Sequence, residues 1–547
     1  MSLIASSTEP LVLIARCPWL RLTPRSHRRL FHDYFVTHLP SSSLHPDSRS
    51  STGLAHKFPR KESTPHKPDG RSPAALRHPT ASRDVTTVRI PLKSAKHHYG
   101  VSVSRGSRPY QEDNHQAGVI NLPAFAKRPP RSLRLDKSGE GTSADGESGD
   151  PQVFYFGVFD GHGGAECSGY LREQLHQYIE QSALDFGLKS SLQNATGHVA
   201  GLEDAETVRR GEKALQAIDT RNGFDAPTEE KPLPQDGDND AIATLEKNLV
   251  DSWKALVGGY FRRFKPQHFS IFKDSPQTTT IEEVLMYAFL KCDYDFVSAQ
   301  AAKRGEERDV VRQERPLNEA DILGETGKRH VDPRERFKGG STASVALIST
   351  PSPVPFWAPA TSSTLVVAHC GDTRILLCGT ANGSAVPLTS VHHPSSPLEA
   401  ARLRRFGSFV TDSFGEERTT SGLANSKAFG DAASKAIGVS AEPEIVRIDL
   451  SSSEYSFLLL FSDGISESVT DQECVDIVKE AKSPSEGAAK LVSFATEISQ
   501  SGDNCTCLCV RLGGWERRQE GGMGSLGTKE SREFKREQAA DPRSRRR

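Results

Sequence analysis

The sequence predicts one large α+β domain, interrupted and flanked by polar stretches, and three observations point to it. Only 35% of the 547 residues are hydrophobic, beside 33 Pro and 44 Gly, which is too little for a packed core along the whole length. The apolar pattern changes period along the chain: strand-like runs near 98–120, 154–159, 340–378 and 455–461 frame helical spacing at 244–302, and more helix follows 470. Two of the solid apolar runs, FYFGVFDGHGG (154–164) and EYSFLLLFSDGISESV (454–469), break at once into Asp-Gly.

Net charge is −1, so the whole chain has no bias toward nucleic acid or membrane. No apolar run approaches the roughly 18 residues that span a bilayer, so no transmembrane segment is expected. Charge is unevenly spread: residues 1–100 carry sixteen Lys/Arg against six Asp/Glu. Within 1–40 there are five Arg and two acids, which fits an organelle transit peptide better than a secretory signal. The expectation is a mitochondrial address for 1–40, with a cytoplasmic or nuclear location as the alternative. Residues 41–95 are Ser, Pro, His and Arg and read as linker.

Order is expected from about residue 96. HHYGVSVSRGSRPYQEDNHQAGVI gives a strand, a polar loop with Arg108, Glu112 and Asp113, and a second strand. Residues 126–151 read as an exposed excursion before the 154–159 strand. The amphipathic 166–184 segment follows, then an acidic, Gly/Asn-rich insertion over 186–240. Helices are predicted over 244–264 and 280–302, and another loop over 303–337. GGSTASVALIST (339–350) is a strand behind two glycines. STLVVAHCGDTRILLCGT reads as a hairpin around Gly371-Asp372. A short helix covers 397–406. Thr470 with Glu473, and Ser483 with Glu486 behind Pro484, are capping-box patterns for two later helices. DNCTCLCVRL, with Asp503 just before it, is the last strand. Its Cys505, Cys507 and Cys509 share one face; buried free thiols are expected there rather than a zinc site. Residues 513–547 read as a charged, disordered basic tail.

An Asp-Gly after an apolar run is ordinarily a turn. Here Asp160, Asp372, Asp463 and Asp503 all stand at strand ends or turns, with Glu112 in a polar loop and Arg108 and His162 also loop-borne. Hard divalent cations take several carboxylate oxygens, and the planar fork of Arg grips two phosphoryl oxygens. Metal-assisted phosphoester hydrolysis is the chemistry these residue types serve.

In order, RPYQED (108–113), FGVFDGHGG (156–164), GGSTASV (339–345), VAHCGDTRILL (367–377), HHPSSPLEAARLRRFG (392–407), SKAFGD (426–431), LLLFSDGISESV (458–469) and GDNCTCLCV (502–510) resemble the motifs of the protein phosphatase 2C family. They run through nearly all of 97–512. The resemblance implies a four-layer α-β-β-α sandwich, two antiparallel sheets flanked by helices, with a dinuclear Mg²⁺ or Mn²⁺ site at one end. By that resemblance Asp160 bridges both metals, Asp463 and Asp503 complete one shell, and Glu112 with the Gly161 carbonyl completes the other. Asp113 would hold waters of the metal shells, Arg108 the substrate phosphate, and His162 would protonate the departing Ser/Thr oxygen. Asp372, with Glu467, would belong to a weaker third metal site.

Two positions depart from the family pattern. Glu467 stands where Asp is usual, and Lys427 where Arg is usual in SKAFGD. The stretch between the first Gly-Gly and Gly339 is also longer than in the family. The resulting domain plan is 1–40 transit peptide, 41–95 linker, 96–512 catalytic domain and 513–547 tail. The expected activity is hydrolysis of phosphoserine and phosphothreonine in phosphorylated protein substrates by a water bridging two Mg/Mn ions, in a monomer. The alternatives are a catalytically inactive scaffold of the same fold and a metal hydrolase of small phosphoesters.

Overall fold

The computed structural model describes residues 34–40, 85–91, 98–127, 150–192, 236–273, 279–303, 336–352, 354–404, 409–411, 417–419, 423–519 and 526–541. Two five-stranded antiparallel sheets dominate. The first runs β15 (Glu444–Leu450), β9 (Ser363–Cys370), β8 (Ala343–Ser349), β5 (Val153–Phe159) and β4 (Asn114–Ile120). The second runs β11 (Ala385–Pro387), β10 (Arg374–Gly379), β16 (Tyr455–Phe461), β17 (Cys505–Arg511) and β3 (Tyr99–Ser104). Short ladders join β14 (Phe429–Gly430), β7 (Gly340–Ser341) and β6 (Gly161–His162), and pair β12 (Phe409–Thr411) with β13 (Glu417–Thr419).

The solid apolar runs are explained by layering. Every residue of β5, VFYFGVF, is buried, because one face meets the opposite sheet and the other meets helices. Between the sheets Phe154, Phe156, Ile348, Leu365 and Val367 pack against Ile375, Leu377, Leu458, Leu460, Leu508 and Val510. Full burial of such a side chain contributes roughly 1.5–3 kcal/mol. On the far face of the second sheet, Phe457, Leu459, Phe461, Cys505, Cys507 and Cys509 meet the helices that follow β16. The three thiols are buried and free, on the face their alternation predicts.

Helix α1 (Glu166–Asp185) packs on β4, β5 and α3 (Ile281–Ala302), covering the first sheet. Thr280 caps α3 in a full capping box with Glu283, as the TIEE start allows. Helix α2 (Asp236–Leu256) begins before residue 244, where apolar spacing starts, so the last acids of the expected 186–240 insertion lie in its first turns. Acids favour a helix N-terminus through the helix dipole, and the same acids read as loop by composition. Beyond them come α4 (Pro397–Leu403), the single turn α5 (Asp463–Ser466), α6 (Asp471–Lys479) and α7 (Pro484–Ile498), the last two flanking the second sheet. Thr470 and Glu473 form the reciprocal box. At α7 only half of it forms: Ser483 accepts from Glu486 N–H, while the Glu486 carboxylate accepts Lys482 N–H. The α-β-β-α sandwich is therefore present.

Three elements differ from the sequence reading. β9 and β10 are not a hairpin; they belong to opposite sheets. Both are almost wholly buried, so neither offers the solvated face of a simple hairpin, and Gly371 at φ 121° carries the chain across the end of the sandwich. β1 (Tyr34–Pro40) and β2 (Val85–Pro91), within the segments read as leader and linker, pair in antiparallel register. The rest of 1–40 and most of 41–95 lie outside the described residues, as do most of 126–151 and 303–337.

The third is the tail, where residues 526–540 form helix α8 (Leu526–Ala540) rather than disordered chain. Its basic side chains meet acids of α6 and α7: Lys535 with Glu473 at 2.5 Å, Arg532 with Glu480 at 2.9 Å, and Arg536 with Glu497 at 3.0 Å. Ser531 and Thr528 donate to Glu473 and Asp476. Composition alone reads such a segment as solvated, because its partners sit some 40–60 residues earlier. Arg536–Glu497 is exposed on both sides and worth about 0.2–1 kcal/mol, the other two pairs are partly buried, and docking by charge is salt-sensitive. Raising NaCl from about 0.05 M to about 1 M, where the Debye length falls to ~3 Å, should speed amide exchange across 526–540 while β17 stays protected. Equal protection at both salt levels would contradict this account of the tail.

Candidate metal centre

Carboxylates from separate elements meet at one end of the sandwich. Asp160 directly follows β5 and its backbone is pinned: its carbonyl accepts Thr342 N–H at 2.8 Å and Ser341 Oγ at 2.9 Å, and its N–H donates to Thr342 Oγ1 at 3.3 Å. Asp372 occupies the crossing between β9 and β10, and Asp463 opens α5 directly after β16. One carboxylate oxygen from each of Asp160, Asp372 and Asp463 lies within 4.8 Å of the others. The Asp463 N–H points at Asp160 Oδ2 at 3.4 Å. Gly161 is needed for close approach, since a Cβ there would stand 2.5 Å from the Glu112 carbonyl. Gly464 is equally confined, its Cβ position overlapping the Asn504 carbonyl.

Asp113 borders the cluster. Its Oδ2 accepts Thr506 Oγ1 at 2.8 Å, whereas its Oδ1 is buried with no hydrogen-bond partner. Asp372 Oδ1 is buried and unpartnered in the same way. Burial, then the nearby Asp463, Asp113 and Asp372, push the Asp160 carboxyl well above its usual range. Burial and Asp372 do the same to Asp463, and burial lifts Asp113 to about 6. Carboxylates this crowded resist ionising together. A hard divalent cation would supply what is missing: positive charge and a Lewis acid to take the lone pairs of the orphaned oxygens. The donor set is all oxygen, so it fits Mg²⁺ or Mn²⁺.

Around the acids stand the groups expected to handle phosphate. Arg108 is half exposed and donates to Asp503 Oδ2 at 2.6 Å, across 395 residues of sequence. Asn504 fixes that loop: its Oδ1 accepts Glu112 N–H at 2.7 Å, and its amide donates to the Arg105 and Tyr110 carbonyls at 2.9 and 3.0 Å. Glu112 is raised by burial. His162 Nε2 lies 2.9 Å from Asp431 Oδ2. Burial works against the imidazolium, but the Asp431 carboxylate outweighs it and raises the His162 pKa.

The structure thus brings Asp160, Asp372, Asp463 and Asp113 together, with Arg108 paired to Asp503 and His162 beside them. Glu467 is exposed and accepts Ser501 Oγ at 2.7 Å, and its charge is among those that raise Asp463. Asp431, Asn425, Asn504 and Thr506 are site residues that the sequence reading did not single out. Asp431 closes the SKAFGD motif, which was the available signal. Asn425 hydrogen-bonds Asp372. Asn504 had only its position between Asp503 and the last strand.

His369, His392 and Glu444 form a second convergent group. Its hydrogen bonds argue against an ion. His392 Nδ1 accepts the Gly371 N–H at 3.1 Å, which leaves the proton on Nε2, the atom facing Glu444. His369 lies between Ser344 Oγ and the Ser390 carbonyl. Burial lowers the His369 pKa to about 4 and that of His392 further, keeping both rings neutral. This cluster supports the turn that carries Asp372.

Comparison with known proteins agrees with the geometry. The sequence pattern of the Protein phosphatase 2C family matches residues 293–504. Protein phosphatase 2C homolog 4 of Schizosaccharomyces pombe is 28% identical over 435 residues, covering 79% of this chain and 84% of that one. The relative named "Protein phosphatase 1K, mitochondrial" from Xenopus laevis is 35% identical over 181 residues, 33% of this chain and 45% of that protein. Among solved structures, serine-threonine phosphatase 2C from Toxoplasma gondii overlaps with a TM-score of 0.39 at 16% identity, covering 76% of this chain and 94% of that one. The chain is thus similar to proteins of the protein phosphatase 2C family over most of its length. That likeness points to a protein phosphatase.

The raised carboxyl groups have a consequence for stability. A carboxyl whose folded pKa exceeds its unfolded value near 4 destabilises the fold as pH climbs through the folded value, here about 6 for Asp113. Buried neutral histidines such as His369 act in the opposite direction. Comparing metal-free wild type with Asp463→Asn cancels the histidines. The variant's Tm should match wild type near pH 4.5 and exceed it increasingly toward pH 7, and Mn²⁺ should raise the wild-type Tm most. A Tm difference constant with pH would contradict the crowding argument.

Proposed function

We propose that the protein hydrolyses phosphoserine and phosphothreonine in protein substrates with the help of two Mg²⁺ or Mn²⁺ ions. The convergence of the Asp160, Asp372 and Asp463 carboxylates, with Asp372 Oδ1 and the neighbouring Asp113 Oδ1 buried and unpartnered, is the observation that carries this reading. The likeness to the protein phosphatase 2C family supports it. Asp160, Asp463 and Asp503 would hold one ion, with Asp160, Glu112 and the Gly161 carbonyl holding the other; Asp372 would serve a weaker third. When bound, these ions supply Lewis acidity toward phosphoryl oxygens and a water deprotonated near neutral pH.

The chain's own groups then have distinct tasks. Arg108, half exposed on its loop, exchanges Asp503 for the phosphate of the substrate and orients it through its planar fork. Asp113, fixed by Thr506, accepts a proton from water at its free Oδ1. Asp431 holds His162 through Nε2, so Nδ1 is the atom that gives its proton to the leaving Ser or Thr oxygen. A raised imidazole pKa keeps that proton available near neutrality. For residues 1–40, the Arg-rich, acid-poor composition supports a mitochondrial address, which sequencing the mature N-terminus of the expressed protein would decide.

Turnover of a phosphothreonine peptide by the full chain with Mn²⁺ is the test. Asp463→Asn should lower kcat/KM at least about 100-fold, and Arg108→Ala should act mainly on KM, by about 10- to 100-fold. Metal-independent turnover, or full activity of Asp463→Asn, would overturn the proposal.

A further inference from the structure

Beneath the His162–Asp431 contact lies an ion pair that touches no candidate ligand. Lys435 and Asp293 have side chains at 0% exposure, with Nζ 2.6 Å from Asp293 Oδ2. Asp293 Oδ1 accepts the Gly430 N–H at 2.8 Å, and Lys435 Nζ also donates to the Ala428 carbonyl at 2.7 Å. The Trp253 ring of α2 closes over Nζ at 5.9 Å. A buried pair is weak evidence for stability, because desolvation offsets its attraction and apolar replacements are often as stable. What sets this pair apart is where its bonds land: all of them fall on 428–435.

That segment carries an unfavourable conformation. Asp431 is left-handed, at φ 43° and ψ 47°, one of two non-glycine residues with positive φ among those described. Gly430 before it is also left-handed, at φ 71°. A Cβ residue is disfavoured there and persists only where its surroundings hold it. Asp431 N–H donates to the Gly339 carbonyl, and Gly340 leaves room for the Asp431 carboxylate, which a Cβ at Gly340 would overlap. Asp293 grips the residue before Asp431, and Lys435 grips Ala428 on one side while standing on the 3₁₀ turn 432–437 on the other. Released from that grip, the backbone would relax toward negative φ and swing the carboxylate off His162.

We infer that Asp293 and Lys435 are positioning residues that hold Asp431 in its left-handed conformation and so aim His162 at the leaving oxygen. The inference rests on the proposed function for its reaction, but its geometry stands apart from it. Its signature is leaving-group dependence. A serine or threonine alkoxide needs a proton in order to depart, whereas p-nitrophenolate does not, so loss of His162 alignment should be felt by one substrate and not the other.

With the full-length, Mn²⁺-loaded protein, Asp293→Asn should lower kcat on a phosphothreonine peptide about 10- to 100-fold with KM within about twofold, and lower kcat on p-nitrophenyl phosphate by less than about threefold. Asp431→Asn should lower kcat on the phosphothreonine peptide to a similar extent, and the double variant should show little further loss on it. Equal losses on both substrates, or additive losses in the double variant, would overturn the inference. Should Asp293→Asn fail to fold, Lys435→Gln applies the same test from the other partner. The imidazole ¹⁵N resonances of His162, recorded at fixed pH without metal, give a readout independent of turnover: they should move in Asp293→Asn, and unchanged resonances would refute positioning. A wild type without phosphothreonine turnover would count against the proposed function, and the resonances alone would then decide the positioning role.

Discussion

The molecule is built around a repulsion. One carboxylate oxygen from each of Asp160, Asp372 and Asp463 is brought within 4.8 Å of the others at the end of a sandwich, with Asp113 buried beside them and Arg108 paired to Asp503 at the margin. Such a grouping opposes folding when its members ionise, since each is pushed upward by burial and most also by the others. A fold retains a feature like this where a bound cation reverses its sign. Much of the surrounding structure can be understood as what is required to hold those acids in place against their mutual field.

The holding is done by strand ends. β5, β9, β10, β16 and β17 are buried almost throughout, so their termini are fixed by the inter-sheet core rather than by local turns. Asp160, Asp372, Asp463 and Asp503 each stand within two residues of such a terminus. Loops alone would not position charges against repulsion; rigid elements do so because displacing them disrupts close packing. Thr342, Ser341, Asn504 and Thr506 then set backbone and side-chain orientation through neutral hydrogen bonds, which add no further charge.

Much of this was legible in the sequence, and for a physical reason. Doubly buried strands must be apolar on both faces, so VFYFGVF and YSFLLLF are visible as uninterrupted runs, and the acids after them stand out. Capping at Thr280 and Thr470 is local chemistry and was equally readable for Thr470. What escaped depends on distant partners. The Gly371–Asp372 turn is as short as a hairpin, and only the identity of the neighbours of β9 and β10 shows that it crosses between sheets. Asp431 meets His162 across 269 residues, and Asn504 meets Glu112 across 392. The tail helix α8 docks largely by charge, with Ala539 against the core, and composition reads its charges as solvation. Glu467, which stands where the family pattern has Asp, accepts the hydroxyl of Ser501, a partner 34 residues away in the sequence.

The central claim is that the crowded carboxylates are a binding site for hard divalent cations. Anomalous diffraction at the manganese edge, from crystals grown with Mn²⁺, tests it most directly. The account predicts two strong peaks flanking the Asp160 carboxylate, one toward Asp463 and Asp503 and one toward Glu112 and Gly161. Absence of density at Asp160, or Mn²⁺ bound only at His369, His392 and Glu444, would contradict it.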